Sequence, residues 1–264
     1  MHAMAGLTDE EYISKIKELG FEATFSSCYD SIEAHVALAD LLYKYGIDYE
    51  TVHAPYKNIN DIWLEGDAGE EMLSRLTSCV DKCSAAGVPI AVTHLSSGLT
   101  PPPITDIGRA RFTRLVEHAQ KKNVIIAFEN QRRFANFSWA LETFSPEDSV
   151  GFCWDCGHEA CATRGKEFMP IFGERIVCTH IHDNSGIFNE DMHLIPFDGN
   201  INFNRFAEHI QNSGYKGSLM LEVIANENKA YGYDFYSAMT HDEYLEKAAC
   251  AIKNLRDMVE GDSK

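Results

Sequence analysis

Apolar and polar positions follow two different rhythms along the chain. Short, nearly continuous apolar runs predict buried strands, whereas apolar residues spaced three or four positions apart predict amphipathic helices. The sequence predicts seven strands, over residues 21–26, 49–53, 89–94, 124–129, 150–155, 176–182 and 218–222. It predicts helices within residues 8–19, 31–46, 68–86, 106–122, 137–144, 168–172, 204–212 and 243–259. Apolar strands that alternate with helices predict an α/β fold with a parallel sheet.

The strands share a second feature, which is a polar side chain at or near the C-terminal end. Six strands carry such a residue: His53, His94, Glu129, Asp155, His180 and Glu222. In a (β/α)8 TIM barrel these ends meet at one mouth, and about 250 residues is typical of that fold. The 264-residue chain is therefore predicted to be a single TIM-barrel domain over residues 1–264. Seven strands are one too few and the chain opens on a helix, so the first barrel strand is predicted to be missing or modified.

Histidine and acidic residues are concentrated between His180 and Gly199, where three histidines and three aspartates lie within twenty residues. Imidazole and carboxylate together suit a divalent metal ion. A polar, solvated loop is the alternative for one such stretch, but the same residue types recur at the other strand ends. The candidate metal or substrate ligands are His53, His94, Glu129, Asp155, His158, His180, Asp191, His193 and Glu222.

Composition narrows the classes of function. The formal net charge of −17 disfavours extended contact with nucleic acid, and no apolar run approaches the ~20 residues that a membrane span needs. The first residues lack the basic and apolar regions of a secretory signal. Eight cysteines in a chain of this length do not predict a disulfide scaffold. A redox or zinc role for the Cys153–Cys156 pair is disfavoured because the sequence has no second such pair. These features predict a cytoplasmic protein.

Several short motifs at the strand ends resemble the xylose isomerase-like TIM-barrel superfamily, which includes sugar isomerases, sugar epimerases, inositol-catabolism enzymes and endonuclease IV. The motifs are A-F-E-N around Glu129, W-D-C-G-H from Trp154 to His158, H-I-H-D from His180, D-M-H from Asp191, the turn P-F-D-G, and L-E at Glu222. Each motif is weak alone, but their order and spacing along residues 20–223 are specific for the superfamily, although not for a substrate.

The resemblance implies a divalent-metal-dependent isomerase or epimerase of carbohydrate metabolism that acts on a sugar or a sugar phosphate. Carried over by motif, the residues that would hold one metal ion are Glu129, Asp155, His180 and Glu222. These ligands suit Mn²⁺, Mg²⁺ or Co²⁺, and Zn²⁺ is also acceptable. The ion would stabilise an enediolate while Glu129 and Glu222 move the α-proton, and His158 would hydrogen-bond a substrate oxygen. His182 is assigned to the surroundings of the ligands or to packing.

The chain departs from the ketose 3-epimerases of this superfamily in two places. No second glutamate follows shortly after Glu129, and no arginine follows shortly after His180. The substrate is therefore not expected to be held as in those enzymes. Arg132 and Arg133 are candidates to meet a phosphate or a carboxylate, or they form a solvated pair.

Two alternative functions stay open. Endonuclease IV holds three zinc ions with nine residues, all of which have counterparts among the candidate ligands, so a zinc phosphodiesterase is one alternative. The negative charge of the chain opposes it. A barrel that binds a sugar without converting it is the other. The sequence names neither the sugar, its phosphorylation state nor the metal, and it leaves open whether the chain forms a homo-oligomer.

Overall fold

A computed structural model describes residues 7–261 of the chain. Its strands are β1 Ala23–Ser27, β2 Asp48–His53, β3 Ile90–His94, β4 Ile125–Glu129, β5 Val150–Asp155 and β6 Ile176–His180. The six strands form one sheet in chain order. The pairs β1–β2, β2–β3 and β3–β4 are parallel. This confirms the parallel α/β architecture that the sequence predicts.

The helices among the described residues are α1 Asp9–Glu18, α2 Ile32–Tyr45, α3 Asp67–Ala86, α4 Asp106–Lys121, α5 Phe134–Thr143, α6 Cys156–Ala162, α7 Met169–Phe172, α8 Phe203–Ser213 and α9 His241–Glu260. Thr8 and Thr240 begin the first and last helices with capping boxes, in which each threonine and the glutamate three residues later exchange hydrogen bonds. Helices α2 and α3 end at Gly46 and Gly87, whose positive φ angles of 64° and 70° suit a residue without a Cβ atom.

Two compact units divide the described residues: unit 1 covers residues 22–152, and unit 2 covers residues 7–21 and 153–261. The core of unit 1 contains a group of aromatic rings whose centroids lie between 5.1 and 6.3 Å apart. These rings belong to Trp63, Phe112, Phe128, Trp139 and Phe144. Their tilted and edge-on contacts stabilise the unit beyond the burial of their surface.

Unit 2 has its own apolar core beside helix α9. Its buried members are Met192, Leu194, Ile195, Tyr236, Tyr244, Ala248 and Ala251. The Tyr236 hydroxyl accepts the Ile195 N–H and donates to Asp198, both at 2.8 Å. The loop that follows β6 is thereby held by both apolar burial and hydrogen bonds.

The prediction that residues 1–264 form a single domain stays a prediction.

The strand predicted over residues 218–222 is wrong, and the sheet has six strands rather than seven. Within that segment only one isolated bridge is present, between Leu221 and Ile181. The Thr179 hydroxyl explains the difference, because it donates to the Ser218 carbonyl and accepts the Met220 N–H. A side chain thus takes backbone groups that a regular strand ladder would use.

Smaller differences concern the strand ends and the cysteines. Strand β6 ends at His180 rather than at residue 182, and the seven-residue helix α6 was not predicted. All eight cysteines are free thiols, and Cys153 and Cys156 are buried. None of the described helices is both long enough and apolar enough to cross a membrane. The prediction that residues 1–6 form no strand lies outside the described residues.

Candidate metal centres

Unit 1 brings three of the predicted site residues together at the C-terminal ends of neighbouring strands. His53, His94 and Glu129 are the last residues of β2, β3 and β4. His94 pairs directly with Glu129, and His53 pairs with Val92 two residues before His94. Because parallel strands in register end at the same edge, the three side chains meet there. We call these three residues the unit 1 triad.

The donor atoms of the unit 1 triad are almost equally spaced. The Nε2 atoms of His53 and His94 are 3.2 Å apart. Glu129 Oε2 lies 3.3 Å from His53 Nε2 and 3.2 Å from His94 Nε2. Three donors at this spacing suit one ion about 2.0–2.2 Å from each of them. Two imidazoles and a carboxylate are also ligands that Zn²⁺, Mn²⁺ and Co²⁺ accept. The residues therefore fit a divalent cation.

The protonation of His53 also suits a metal ligand. Its Nδ1 lies 2.9 Å from the Ala54 backbone carbonyl. A carbonyl oxygen only accepts hydrogen bonds, so Nδ1 carries a proton, and in the neutral form of the ring the lone pair is on Nε2. Nε2 faces the other two members of the triad. A backbone contact of this kind fixes both the tautomer and the ring orientation of a ligating histidine.

Two further residues beside the unit 1 triad were not predicted from the sequence. Gln131 Nε2 lies 2.9 Å from Glu129 Oε1 and 3.2 Å from His94 Nε2. The ring of Tyr56, which is 54% exposed, stacks on His94 at 4.9 Å and meets His53 edge-on at 5.4 Å. Gln131 lies two positions after Glu129 and beyond the end of β4, so no strand periodicity in the sequence identifies it.

Unit 2 holds the remaining predicted site residues around Asp155. This carboxylate is the last residue of β5 and begins helix α6, where its Oδ1 accepts the His158 N–H at 2.6 Å. The same oxygen lies 3.1 Å from His182 Nε2, and Oδ2 lies 3.3 Å from His158 Nδ1. The Gly157 backbone lies against the His182 ring so closely that a Cβ there would fall 1.9 Å from His182 Cε1. The strand-to-helix turn therefore depends on this glycine.

The loop after β6 adds Asp191 and His193 to this cluster. His158 Nε2 lies 3.0 Å from Asp191 Oδ2, and His193 Nδ1 lies 3.7 Å from Asp191 Oδ1. The rings of His182 and His193 stack with centroids 4.1 Å apart. His158, Asp191 and His193 each offer a donor atom within 4.8 Å of the others, so they too could hold an ion.

Glu222 forms the other end of this group of side chains. We call the group the unit 2 cluster, and its members are Asp155, His158, His180, His182, Asp191, His193 and Glu222. Its Oε2 lies 3.1 Å from His180 Nδ1 and 3.8 Å from His193 Nε2. Glu227, which was not predicted, places Oε2 3.2 Å from His193 Nδ1. His182, His193 and Glu222 form a second group whose donor atoms lie within 4.8 Å of one another.

Asp183 holds the loop that carries Asp191 and His193. Its buried carboxylate accepts four backbone N–H groups, at distances between 2.8 and 3.0 Å. The donors are Asn184, Phe197, Gly199 and Ile201. The Asp183 backbone also exchanges two hydrogen bonds with Leu194. Asp183, the last residue of the H-I-H-D motif, therefore shapes the loop.

Charge pairing sets the protonation of the unit 2 cluster in the absence of a cation. Burial opposes the charged form of His182, but the Asp155 and Asp191 carboxylates prevail and raise its pKa to about 9. Burial likewise opposes ionisation of Asp191, but His158, His193 and His182 hold its pKa far below the ordinary value. At neutral pH His182 thus carries a proton beside the Asp155 and Asp191 carboxylates.

Comparison with known proteins identifies the family. A family model of the xylose isomerase-like TIM barrel matches residues 13–246. The chain belongs to this family. Membership confirms the resemblance and the fold class predicted from the sequence. The described residues form six strands in place of eight, which agrees with a modified TIM barrel.

Two curated relatives are each 27% identical to the chain. The uncharacterised protein MJ1311 of Methanocaldococcus jannaschii aligns over 255 residues, which cover 89% of this chain and 84% of the relative. The uncharacterised protein y4fM of Sinorhizobium fredii aligns over 199 residues, which cover 70% of this chain but only 60% of the relative. The chain therefore spans less than two thirds of y4fM.

Solved structures share the fold at lower identity. A D-tagatose 3-epimerase-like protein superposes with a TM-score of 0.74 and 22% identity, covering 95% of this chain and 94% of that chain. D-Psicose 3-epimerase from Clostridium cellulolyticum H10 has a TM-score of 0.75 and 16% identity, with coverage of 96% and 94%. Similarity at this level of identity shows a common fold and leaves the substrate open.

The predicted site residues thus fall into two groups. Unit 1 contains His53, His94 and Glu129, and unit 2 contains Asp155, His158, His180, Asp191, His193 and Glu222. The four-ligand set carried over by motif takes Glu129 from unit 1 and the other three ligands from unit 2. That assignment, and the catalytic roles of Glu129, Glu222 and His158, stay predictions.

Proposed function

We propose that this protein is a divalent-metal-dependent sugar isomerase or epimerase. The observation that carries the proposal is the unit 1 triad, whose three donor atoms stand 3.2–3.3 Å apart, as ligands of one cation require. The fold adds support, because the chain shares it with a D-tagatose 3-epimerase-like protein and with D-psicose 3-epimerase. A neutral or phosphorylated sugar is the proposed substrate class.

The residues that would hold the cation are Glu129, Asp155, His180 and Glu222. Three carboxylates and one imidazole suit Mn²⁺, Co²⁺ or Mg²⁺, and Zn²⁺ is acceptable. The spacing of His53 and His94 from Glu129 supports these two histidines as further ligands. A bound divalent cation would polarise a substrate carbonyl and stabilise negative charge on its oxygen.

Proton transfer is proposed for the two glutamates. The Glu129 side chain is fully buried and the Glu222 side chain is 15% exposed. One carboxylate would remove the α-proton of the sugar and the other would return a proton to the same carbon or its neighbour. His158 is proposed to donate to a substrate oxygen. Its Nε2 contacts Asp191 in this structure, so contact with a sugar would replace that ion pair.

Solvent exchange tests the proposal. D-Tagatose, D-psicose and D-fructose are each incubated in D₂O with the protein and with Mn²⁺, Co²⁺ or Zn²⁺ in turn. We expect deuterium at the α-carbon and an epimeric or isomeric product, because the abstracted proton exchanges with solvent. Glu129→Gln should lose both. Absence of exchange with these sugars and with their phosphates would contradict the proposal.

A zinc phosphodiesterase is the second candidate. The unit 1 triad and the group His158, Asp191 and His193 both stand at ligand spacing, which favours more than one ion per chain. The formal net charge of −17 opposes approach to a phosphate backbone. Metal analysis distinguishes the candidates, since one ion per chain favours the isomerase and three zinc ions favour the phosphodiesterase. Nicking of a duplex with an abasic site, lost in Glu129→Gln and without sugar turnover, would establish the second candidate.

A further inference from the structure

We propose that Gln131 is a positioning residue that fixes Glu129 as a one-oxygen metal ligand. The inference rests on the proposed metal site in unit 1 and concerns a residue that none of the motifs contains. Gln131 is only 5% exposed, and its amide meets two of the three members of the triad. Its role would be exerted through Glu129 rather than by contact with the reacting atoms.

The two carboxylate oxygens of Glu129 have different neighbours. Oε2 lies 3.2–3.3 Å from both imidazole Nε2 atoms and so points into the triad. Oε1 lies 2.9 Å from Gln131 Nε2. An ionised carboxylate only accepts hydrogen bonds, so the amide nitrogen must face Oε1. The two oxygens therefore have different roles, since Oε2 faces the two imidazoles and would bind a cation, whereas Oε1 accepts from the amide.

The same amide also faces the second imidazole ligand. Gln131 Nε2 lies 3.2 Å from His94 Nε2, the atom that points into the triad. When that lone pair binds a cation, the amide retains its hydrogen bond to Glu129. A cation would displace the contact with His94, so Gln131 positions the site through its hydrogen bond to Glu129. Ligands that are already in place lose less conformational freedom on binding, so the contact should raise metal affinity.

The choice of a neutral amide at this position has a physical reason. A second carboxylate 2.9 Å from Glu129 would place two like charges in a buried site, where they repel strongly. An apolar side chain would remove a donor from a buried carboxylate, which costs more than the same loss at the surface. The amide supplies the donor without adding charge.

Cobalt binding tests the role of Gln131 without any need for a substrate. The full-length protein is stripped with a chelator and titrated with Co²⁺, whose visible absorption weakens as its coordination number rises. His53→Ala identifies the part of the spectrum that comes from the unit 1 triad. Gln120→Met is the matched control, because Gln120 lies on α4 in unit 1 and its amide donates to the exposed Glu147 carbonyl, away from the triad.

We expect Gln131→Met to weaken Co²⁺ binding by about 10- to 100-fold, as other losses of an outer hydrogen bond to a ligand do. The absorption of the bound Co²⁺ should also weaken, because a freed Oε1 allows Glu129 to chelate with both oxygens. Gln120→Met should change neither. Gln131→Asn keeps an amide, but its side chain is one methylene shorter and no longer reaches Glu129. It should show the same changes, and it replaces Gln131→Met in the test if that variant does not fold.

Three results would overturn the inference. Unchanged affinity and spectrum in folded Gln131→Met would show that the amide does not position Glu129. A stronger, lower-coordinate absorption band in that variant would mean that Gln131 is itself a ligand. Failure of the unaltered protein to bind Co²⁺ would overturn the proposed metal site together with this inference. Co²⁺ binding that is the same with and without the Gln131 amide would overturn this inference alone.

Discussion

The unit 1 triad and the unit 2 cluster use the same side-chain chemistry in different ways. In unit 1, the donor atoms of three strand-end residues face one another at 3.2–3.3 Å. In unit 2, carboxylates and imidazoles alternate through Asp155, His158, Asp191 and His193 at 3.0–3.7 Å, and a protonated His182 pairs with Asp155. The first arrangement places three potential ligand atoms around one point, whereas the second pairs most of its carboxylates with imidazoles.

The difference follows from the elements that carry the residues. The triad stands on three adjacent parallel strands, whose backbone ladders fix the direction of each side chain. The unit 2 residues stand on a strand end, a short helix and a long loop that depends on Asp183. A cation entering unit 2 must displace protons and ion pairs, so its binding there should depend on pH more steeply than in unit 1.

Removal of the Glu129 carboxylate from the unit 1 triad should have the largest effect on turnover. Glu129→Gln is expected to lower turnover by about 10³-fold or more, because both a proposed proton-transfer group and a metal ligand are lost. Metal content, measured after dialysis against trace Mn²⁺ or Zn²⁺, should fall as well. Glu117→Gln, on the exposed face of α4, is the matched control and should change neither. Full metal content and full turnover in Glu129→Gln would mean that Glu129 neither binds the metal nor transfers the proton.

The protonation of unit 2 predicts a pH-dependent stability of the ion-free protein. The pKa of His182 is raised from 6.5 to about 9 by Asp155 and Asp191 against the effect of burial. The proton on His182 therefore stabilises the folded state fully below about pH 6.5, and this contribution is lost as the pH rises through about 9. A shift of this size corresponds to roughly 3 kcal/mol, as an order of magnitude.

Urea unfolding in the presence of a chelator measures this contribution. The free energy of unfolding should fall between pH 6.5 and pH 9 in the unaltered protein, and this part of the fall should be absent from His182→Gln. His118→Gln controls for a surface histidine, since His118 pairs with Asp81 on the partly exposed face of unit 1. Identical pH profiles for the unaltered protein and His182→Gln would mean that the imidazole does not hold the proton.

The sequence predicted those parts of the structure that depend on local patterns. Apolar runs located β1 to β6 to within about two residues, because buried parallel strands need continuous apolar side chains. The segment 218–222 has the same apolar character, yet the Thr179 hydroxyl bonds two of its backbone groups. No local pattern reveals a partner that is 39 to 41 residues away. The (β/α)8 family was recognisable because its ligand motifs also stand at strand ends.

The site was predictable in its residue types but not in its pairings. Strand-end histidines and acids are visible in the sequence, whereas the contacts of Gln131 with Glu129 and of Glu227 with His193 depend on side-chain directions within loops. The raised pKa of His182 likewise depends on carboxylates 27 and nine positions away in the chain, which only folding brings near. Local patterns thus identify candidate ligands, and three-dimensional packing decides how each is used.

The smallest expected effect concerns Tyr56, whose ring lies against both histidines of the unit 1 triad and is 54% exposed. An exposed aromatic ring beside a metal site offers the C–H face of a sugar a surface on which to stack, and we expect a contribution about as large as that of an aromatic pair, ~0.5–1.5 kcal/mol. Tyr56→Ala should therefore raise KM for the converted sugar by roughly 2- to 10-fold with little change in kcat. Tyr56→Phe, which keeps the ring, should resemble the unaltered protein.

Co²⁺ affinity measured on the same variants separates the two roles that the Tyr56 ring could have, which are contact with the sugar and support of the imidazoles. If Tyr56→Ala weakens Co²⁺ binding as much as it raises KM, the ring supports the imidazoles, and the substrate does not use its exposed face.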